Sequence, residues 1–216
     1  MSQEHLGPRI KVSNKISDGQ TPYAVGINRD AIGGFLMSQG VQERDLPNVQ
    51  VIIPSKDLDE ASNTEYNDRN DIDISVSAAY AWEMYEKSMR TADNIANGGE
   101  VINKPFEDIL YTKRLPKYLQ SAPKDRALKT AQKLLANGVT REFNGSLMHE
   151  LVHAVDILTG RHKFWYSDFG VKISNIFDFA RNVIDASERG ATKFERKNRN
   201  NPSHRDMLSI APRKIV

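Results

Sequence analysis

The chain has 216 residues, 39% of them hydrophobic, with 30 Lys plus Arg against 28 Asp plus Glu and a net charge of +2. That length suits one domain, or one domain with an extension, and is enough to bury a sizeable core; so even a charge balance carries no global signature of a nucleic-acid or membrane binder. No cysteine is present, which excludes a disulfide framework and thiolate metal ligands, so any transition-metal site must be built from His, Asp or Glu.

The opening "MSQEHLGPRIKVSNK" has no apolar core of a secretory signal. No later run approaches the roughly 18 apolar residues of a membrane span. A soluble cytoplasmic protein is therefore expected, with export by a route that needs no cleaved signal left open. "RIKVS" and "YAVGIN" have the alternation or β-branched content of half-buried strands. Gly33-Gly34 is a break after the second of them. "NVQVIIP", 48–54, reads as the best strand, ended by Pro54. Residues 55–73, rich in Asp and Asn and poor in apolar side chains, read as an exposed loop.

The stretch 75–99 predicts a helix, with Val76, Ala79, Tyr80, Trp82, Met84 and Met89 on its apolar face and Gly98-Gly99 as its stop. "DILYT", 108–112, reads as a weak strand. Residues 123–138 predict a helix begun by Pro123 and ended by Gly138. A separate helix is expected in "GSLMHELVHAVDILTG", 145–160, with Ser146 as N-cap and Gly160 just past its end. An aromatic loop carries Phe164, Trp165, Tyr166 and Phe169, and another helix is expected over 175–200. From residue 188 onward there are eight Lys or Arg and three acidic residues. The domain is placed at 1–200 and a basic, irregular tail at 201–216.

His149, Glu150 and His153 form H-E-x-x-H inside the helix at 145–160. Positions i and i+4 share a helix face about one turn apart, so His149 and His153 point the same way. Their imidazole nitrogens can reach one tetrahedral Zn²⁺ at about 2.0–2.1 Å. Glu150 leans toward the same place without being a ligand. It is suited to take a proton from a metal-activated water and to hand it to a leaving amine. The competing account is a surface helix with two histidines on its wet side.

"HELVHAV", 149–155, resembles the active-site helix of zincin metallopeptidases, and gluzincins in particular. Metzincins are disfavoured, because no His stands six residues after His153. "ERGATKFE", 188–195, resembles the E-x-x-A-x-x-F pattern of the helix that carries the third gluzincin ligand. The resemblance implies Glu188 as that ligand, with Ala191 allowing close helix approach and Phe194 packing beneath. Glu195 and Asp185 stay open as alternatives. Asp185 and Asp156 are also candidates for orienting a ligating His, and each has a solvated carboxylate as its plain alternative. His162 or Tyr166 is implied as the group that stabilises the oxyanion. His5 and His204 read as solvated.

The implied fold is α+β and zincin-like: a small, twisted, mostly antiparallel sheet packed on the H-E-x-x-H helix, with backing helices. The implied function is a zinc-dependent metallopeptidase acting on a protein or peptide held along a sheet edge. Two further readings stand beside it. One is a non-catalytic zincin-like regulatory or binding protein. The other is a DNA-associated metalloprotease whose basic tail meets nucleic acid.

Overall fold

A computed structural model describes residues 9–16, 21–55, 61–66, 71–160, 188–198 and 206–213. In chain order these form β1 (Lys11–Asn14), β2 (Tyr23–Ile27), α1 (Arg29–Ser38), a 3₁₀ turn (Glu43–Asn48), β3 (Val49–Ile53), β4 (Ser62–Tyr66), β5 (Ile72–Val76), α2 (Ala78–Ala96), α3 (Lys104–Leu110), α4 (Leu115–Ser121), α5 (Lys124–Thr159) and β6 (Leu208–Pro212). Residues 188–198 are helical and are called α6. The architecture is α+β, with a small sheet and several helices. Among the described residues no helix is long and apolar enough to cross a membrane.

The main sheet has the order β1-β3-β5-β4. β1 pairs with β3 and β3 with β5 in parallel, and only β4 runs antiparallel, against β5. This corrects the expected mostly antiparallel sheet. The chain leaves β3, passes through β4 at the outer edge and turns back, so β5 enters between them parallel to β3. Alternation does the rest: Val49, Val51 and Ile53 of β3 and Ile72, Ile74 and Val76 of β5 are all 0% exposed. A second, two-stranded antiparallel sheet pairs β2 with β6.

Several local expectations change. The break expected at Gly33-Gly34 lies inside α1, and β5 takes residues 72–76 from the expected loop and helix. The acidic segment 55–73 contains β4, whose "SNTEY" has no apolar alternation to announce a strand. "DILYT" begins as the end of α3: Pro105 opens the first turn, Phe106 and Ile109 bury at i, i+3, and Tyr111 closes the helix with φ 52°. The helices expected at 123–138 and 145–160 are one, α5, of 36 residues; at 1.5 Å per residue it is about 54 Å long. Ser146 is therefore a mid-helix residue, whereas Gly160 does end the helix, at φ 68°. Finally, part of the expected irregular tail is β6, tied to α5 through Asn144: its Nδ2 donates to the Leu208 carbonyl at 2.6 Å and its Oδ1 accepts from the Leu208 amide at 2.8 Å.

Gly138 does not stop α5 because it serves packing. A methyl group there would stand 2.5 Å from Ile109 Cγ2, 2.8 Å from Leu110 Cδ2 and 3.1 Å from the Ile109 carbonyl oxygen. α3 lies against α5 at this point. We expect Gly138→Ala to lower stability by roughly 1–2 kcal/mol, because overpacking outweighs the ~1 kcal/mol that alanine gains in a helix interior. Gly34→Ala is the control: a methyl there meets nothing within 4 Å, so it should be neutral or stabilising. Urea unfolding of the two variants checks the pair, and equal effects would contradict this account of Gly138.

Candidate metal centre

α5 changes character along its length. In its first half the buried positions are Ala127, Ala131, Leu135, Gly138 and Val139, a narrow stripe; in its second half they include Phe143, Asn144, Gly145, Leu147, Met148, Glu150, Leu151, Ala154, Val155 and Asp156. The second half is enclosed on most sides, and His149 and His153 occupy one of the few faces left partly open. Their ring centroids are 5.0 Å apart and their Nε2 atoms 3.2 Å apart.

α6 closes that face. Ala191 is 0% exposed, and Phe194 sets its ring edge-on to Phe35 of α1 with centroids 5.9 Å apart. A buried small residue and an aromatic anchor packed on the core hold this helix where Glu188 reaches the histidines. Glu188 Oε2 lies 3.0 Å from His149 Nε2, and Oε1 lies 3.2 Å from His153 Nε2. Ligands at about 2.0–2.1 Å around a tetrahedral ion are separated by roughly 3.3–3.4 Å. The three donors therefore stand close to the separations such an ion requires, and the group can hold a metal ion. Among the described residues it is the one cluster of this kind.

Glu195 lies on the other side of His149. Its Oε2 is 3.8 Å from Nδ1, and its side chain is 13% exposed against 54% for Glu188. It faces the nitrogen that a metal on Nε2 leaves free, the place of an outer carboxylate that orients a ligating imidazole. At 3.8 Å the charge matters more than a formed hydrogen bond. His149 is raised above the usual imidazole value, first by Glu195, with burial opposing and Glu150 and Glu188 adding to the rise.

Glu150 points elsewhere. It is 6% exposed, and both carboxylate oxygens accept hydroxyl hydrogens from β4: Ser62 Oγ donates to Oε1 at 2.8 Å and Thr64 Oγ1 to Oε2 at 2.5 Å. Nothing in the sequence signals these two hydroxyls, because they fall in the stretch that reads as loop. Asp156 is 6% exposed, so it is not a helix-surface charge. Asp185, His162, Tyr166, the aromatic residues Phe164, Trp165 and Phe169, and His5 and His204 lie outside the described residues.

A half-buried carboxyl, Glu142, sits two turns before His149. Tyr111 Oη donates to it at 3.1 Å. Burial pushes it up to about 7, with Arg141 opposing and Glu195 and Asp108 adding.

The two shifts act in the same sense with pH, since each group holds its proton more tightly folded than unfolded and stability falls as pH rises. Glu142 binds its proton more tightly folded than unfolded, so it costs stability progressively as pH rises from about 4.5 to about 7. Glu142→Gln should therefore leave stability unchanged near pH 4 and raise it above pH 7, by on the order of 1 kcal/mol once solvent screening of a partly exposed group is allowed for. Urea unfolding at the two pH values checks this. For His149 the raised value means that its protonated form stabilises the metal-free fold below about pH 6.5, and that this is lost as pH rises through the folded value. A metal must displace that proton, so zinc affinity should fall by up to tenfold per pH unit below the folded value. Chelator competition should place the break at lower pH in Glu195→Gln, and an unmoved break would remove Glu195 from this role. Comparison of the chain with family models, with curated proteins and with solved structures returns no match.

Proposed function

We propose that this protein is a zinc-dependent metallopeptidase of gluzincin-like type that hydrolyses peptide bonds. The observation that carries the reading is the convergence of His149, His153 and Glu188, the two Nε2 atoms 3.2 Å apart with one Glu188 oxygen 3.0 Å from the first and the other 3.2 Å from the second, with Glu150 one residue along the same helix. His149, His153 and Glu188 would hold the ion. Zinc, when bound, supplies a Lewis acid that polarises a carbonyl and lowers the pKa of a water. Glu150 takes a proton at a carboxylate oxygen and delivers it to the departing amine. Two histidines and a carboxylate also suit ferrous iron; a glutamate next to a ligating histidine in the sequence favours hydrolysis and hence zinc.

The surroundings support the same reading. β4 ends the main sheet with one edge that no described strand covers, and its inward hydroxyls touch Glu150. An extended peptide paired along that edge by main-chain hydrogen bonds would pass beside the base. The contacts of α5 with β4 and β5 and with α2 support a zincin-like reading, in which a sheet and a backing helix pack on the helix that carries the motif.

One observation favours a second reading, a non-catalytic metal-binding module. Glu150 is nearly enclosed and has both oxygens engaged, as a carboxylate kept for structure would be. The two readings separate in one set of measurements. Elemental analysis should find about one zinc per chain in the wild type and in Glu150→Gln, and none in His149→Ala or Glu188→Ala. Cleavage of a quenched fluorescent peptide library should fall by roughly 10²–10⁴ in Glu150→Gln, the usual share of a general acid–base group. Zinc without cleavage by the wild type would put the non-catalytic module in its place.

A further inference from the structure

We infer that Ser62 and Thr64, on the edge strand β4, are positioning residues that set the direction in which Glu150 presents its proton-accepting oxygens. The inference rests on the peptidase reading and adds to it residues that the H-E-x-x-H motif does not contain.

The geometry is a two-point clamp. Ser62 and Thr64 are alternate residues of one strand, so their side chains share a face. Their Cα atoms stand roughly 6.5–7 Å apart by strand rise, yet both hydroxyls converge on one carboxylate, one on each oxygen, at 2.8 and 2.5 Å. One bond would leave the carboxylate free to swing; two fix both its position and its plane. Thr64 Oγ1 also lies 3.5 Å from the Glu150 backbone carbonyl oxygen, which keeps the strand close to the helix backbone itself. A carboxylate has about four lone-pair sites. The two hydroxyls occupy one on each oxygen, and the remaining pair is left in a defined direction.

The pattern along the sheet separates this from generic polarity. Ser62 pairs in register with Val76 and Thr64 with Ile74, and both β5 partners are 0% exposed. The buried face is apolar on β3 and β5 and turns to hydroxyls on β4, where it meets Glu150. Because β4 also supplies the sheet edge that no described strand covers, the register of a bound peptide and the aim of the base are set by one strand. A shift of β4 moves both together.

The plain competitor is that the hydroxyls only satisfy a buried carboxylate. It makes different predictions. The test uses the zinc-loaded full chain as Ser62→Ala, Thr64→Val and Thr64→Ser, with zinc content, urea stability, kcat and KM on one peptide that the wild type cleaves. The carboxyl carbon of Glu150 is followed by NMR in glutamate-labelled protein, its resonance assigned by its loss in Glu150→Gln. We expect the Glu150 resonance to move in Ser62→Ala and Thr64→Val, zinc to stay at the wild-type level, kcat to fall tenfold or more in each with KM within about twofold, and Thr64→Ser to recover most of kcat. A moved resonance with stability reduced and kcat unchanged would mean that the hydroxyls only satisfy a buried group, overturning the inference and leaving the peptidase reading intact. An unmoved resonance overturns it whatever the activity. A zinc-loaded wild type that cleaves no peptide removes the peptidase reading, and the inference falls with it.

Discussion

Two imidazole nitrogens 3.2 Å apart, with a carboxylate within 3.2 Å of both, are the arrangement around which the rest of this structure is organised. A helix places His149 and His153 on one face but does not bring a carboxylate to them. That depends on α6, whose hold on the body of the protein is apolar: Ala191 enclosed at the contact, Phe194 against Phe35. Glu188 itself is 54% exposed and contributes nothing to that packing. The carboxylate is thus brought to the histidines by residues outside the candidate site. Carboxylates gathered round His149 raise its proton affinity, and a divalent cation held by the same groups would take that proton's place.

Glu150 shows that adjacency in sequence is not adjacency in environment. One residue advances about 100° around a helix, so while His149 and His153 face α6, Glu150 turns toward β4. A motif written as five letters therefore spans two contacts of α5, one with a helix and one with a sheet edge. The same logic explains why α5 is continuous. Two shorter helices with a turn at Gly138 would let the half carrying the motif move relative to α3 and the second sheet; a single helix of 36 residues does not.

What each feature asks of the chain decides whether it is legible in the sequence. The strands β1, β2 and β3 are legible because burial on one face writes itself as alternation; α2 is legible as a helix but its buried face is not, since Tyr80 is 48% exposed, Val76 belongs to β5, and the enclosed positions are Ala78, Ala81, Tyr85, Ser88, Ala92 and Ile95. The H-E-x-x-H site and the Glu188 pattern are legible because their chemistry demands particular residue types at particular spacings. β4 is not, since an edge strand whose inward positions are Ser62 and Thr64 has polar residues on both faces and no period to detect. α5 reads as two helices because its stripe broadens where the helix becomes enclosed, and because Gly138 is the same letter whether it ends a helix or admits a neighbour. β6 is hidden by the basic, Asn-rich residues before it and by a partner, β2, about 180 residues earlier in the chain. These failures share a cause: each element exists through a long-range contact, not through local propensity.

The buried polar residues of α5 tie the two sheets together. Asn144 and Glu150 are 2% and 6% exposed, and enclosed polar groups are costly unless bonded. Asn144 is satisfied by both main-chain groups of Leu208 in β6, and Glu150 by the two hydroxyls of β4. Each sheet is thus tied to the same helix at a buried polar residue, six residues apart along it, and Thr140 adds a bond to the Ile210 carbonyl of β6 at 3.1 Å. Apolar contacts between a helix and a sheet tolerate sliding; a two-bond tie does not, because a shift leaves a donor or acceptor buried and unmet. The pair of ties fixes the register of both sheets against α5. It does so on either side of His149, where an error of a few tenths of an ångström would be felt by the donors that have to converge. Removing either polar residue for an apolar one of similar size would keep the volume and lose the registration, so the polar content of this helix is better understood as alignment than as stabilisation.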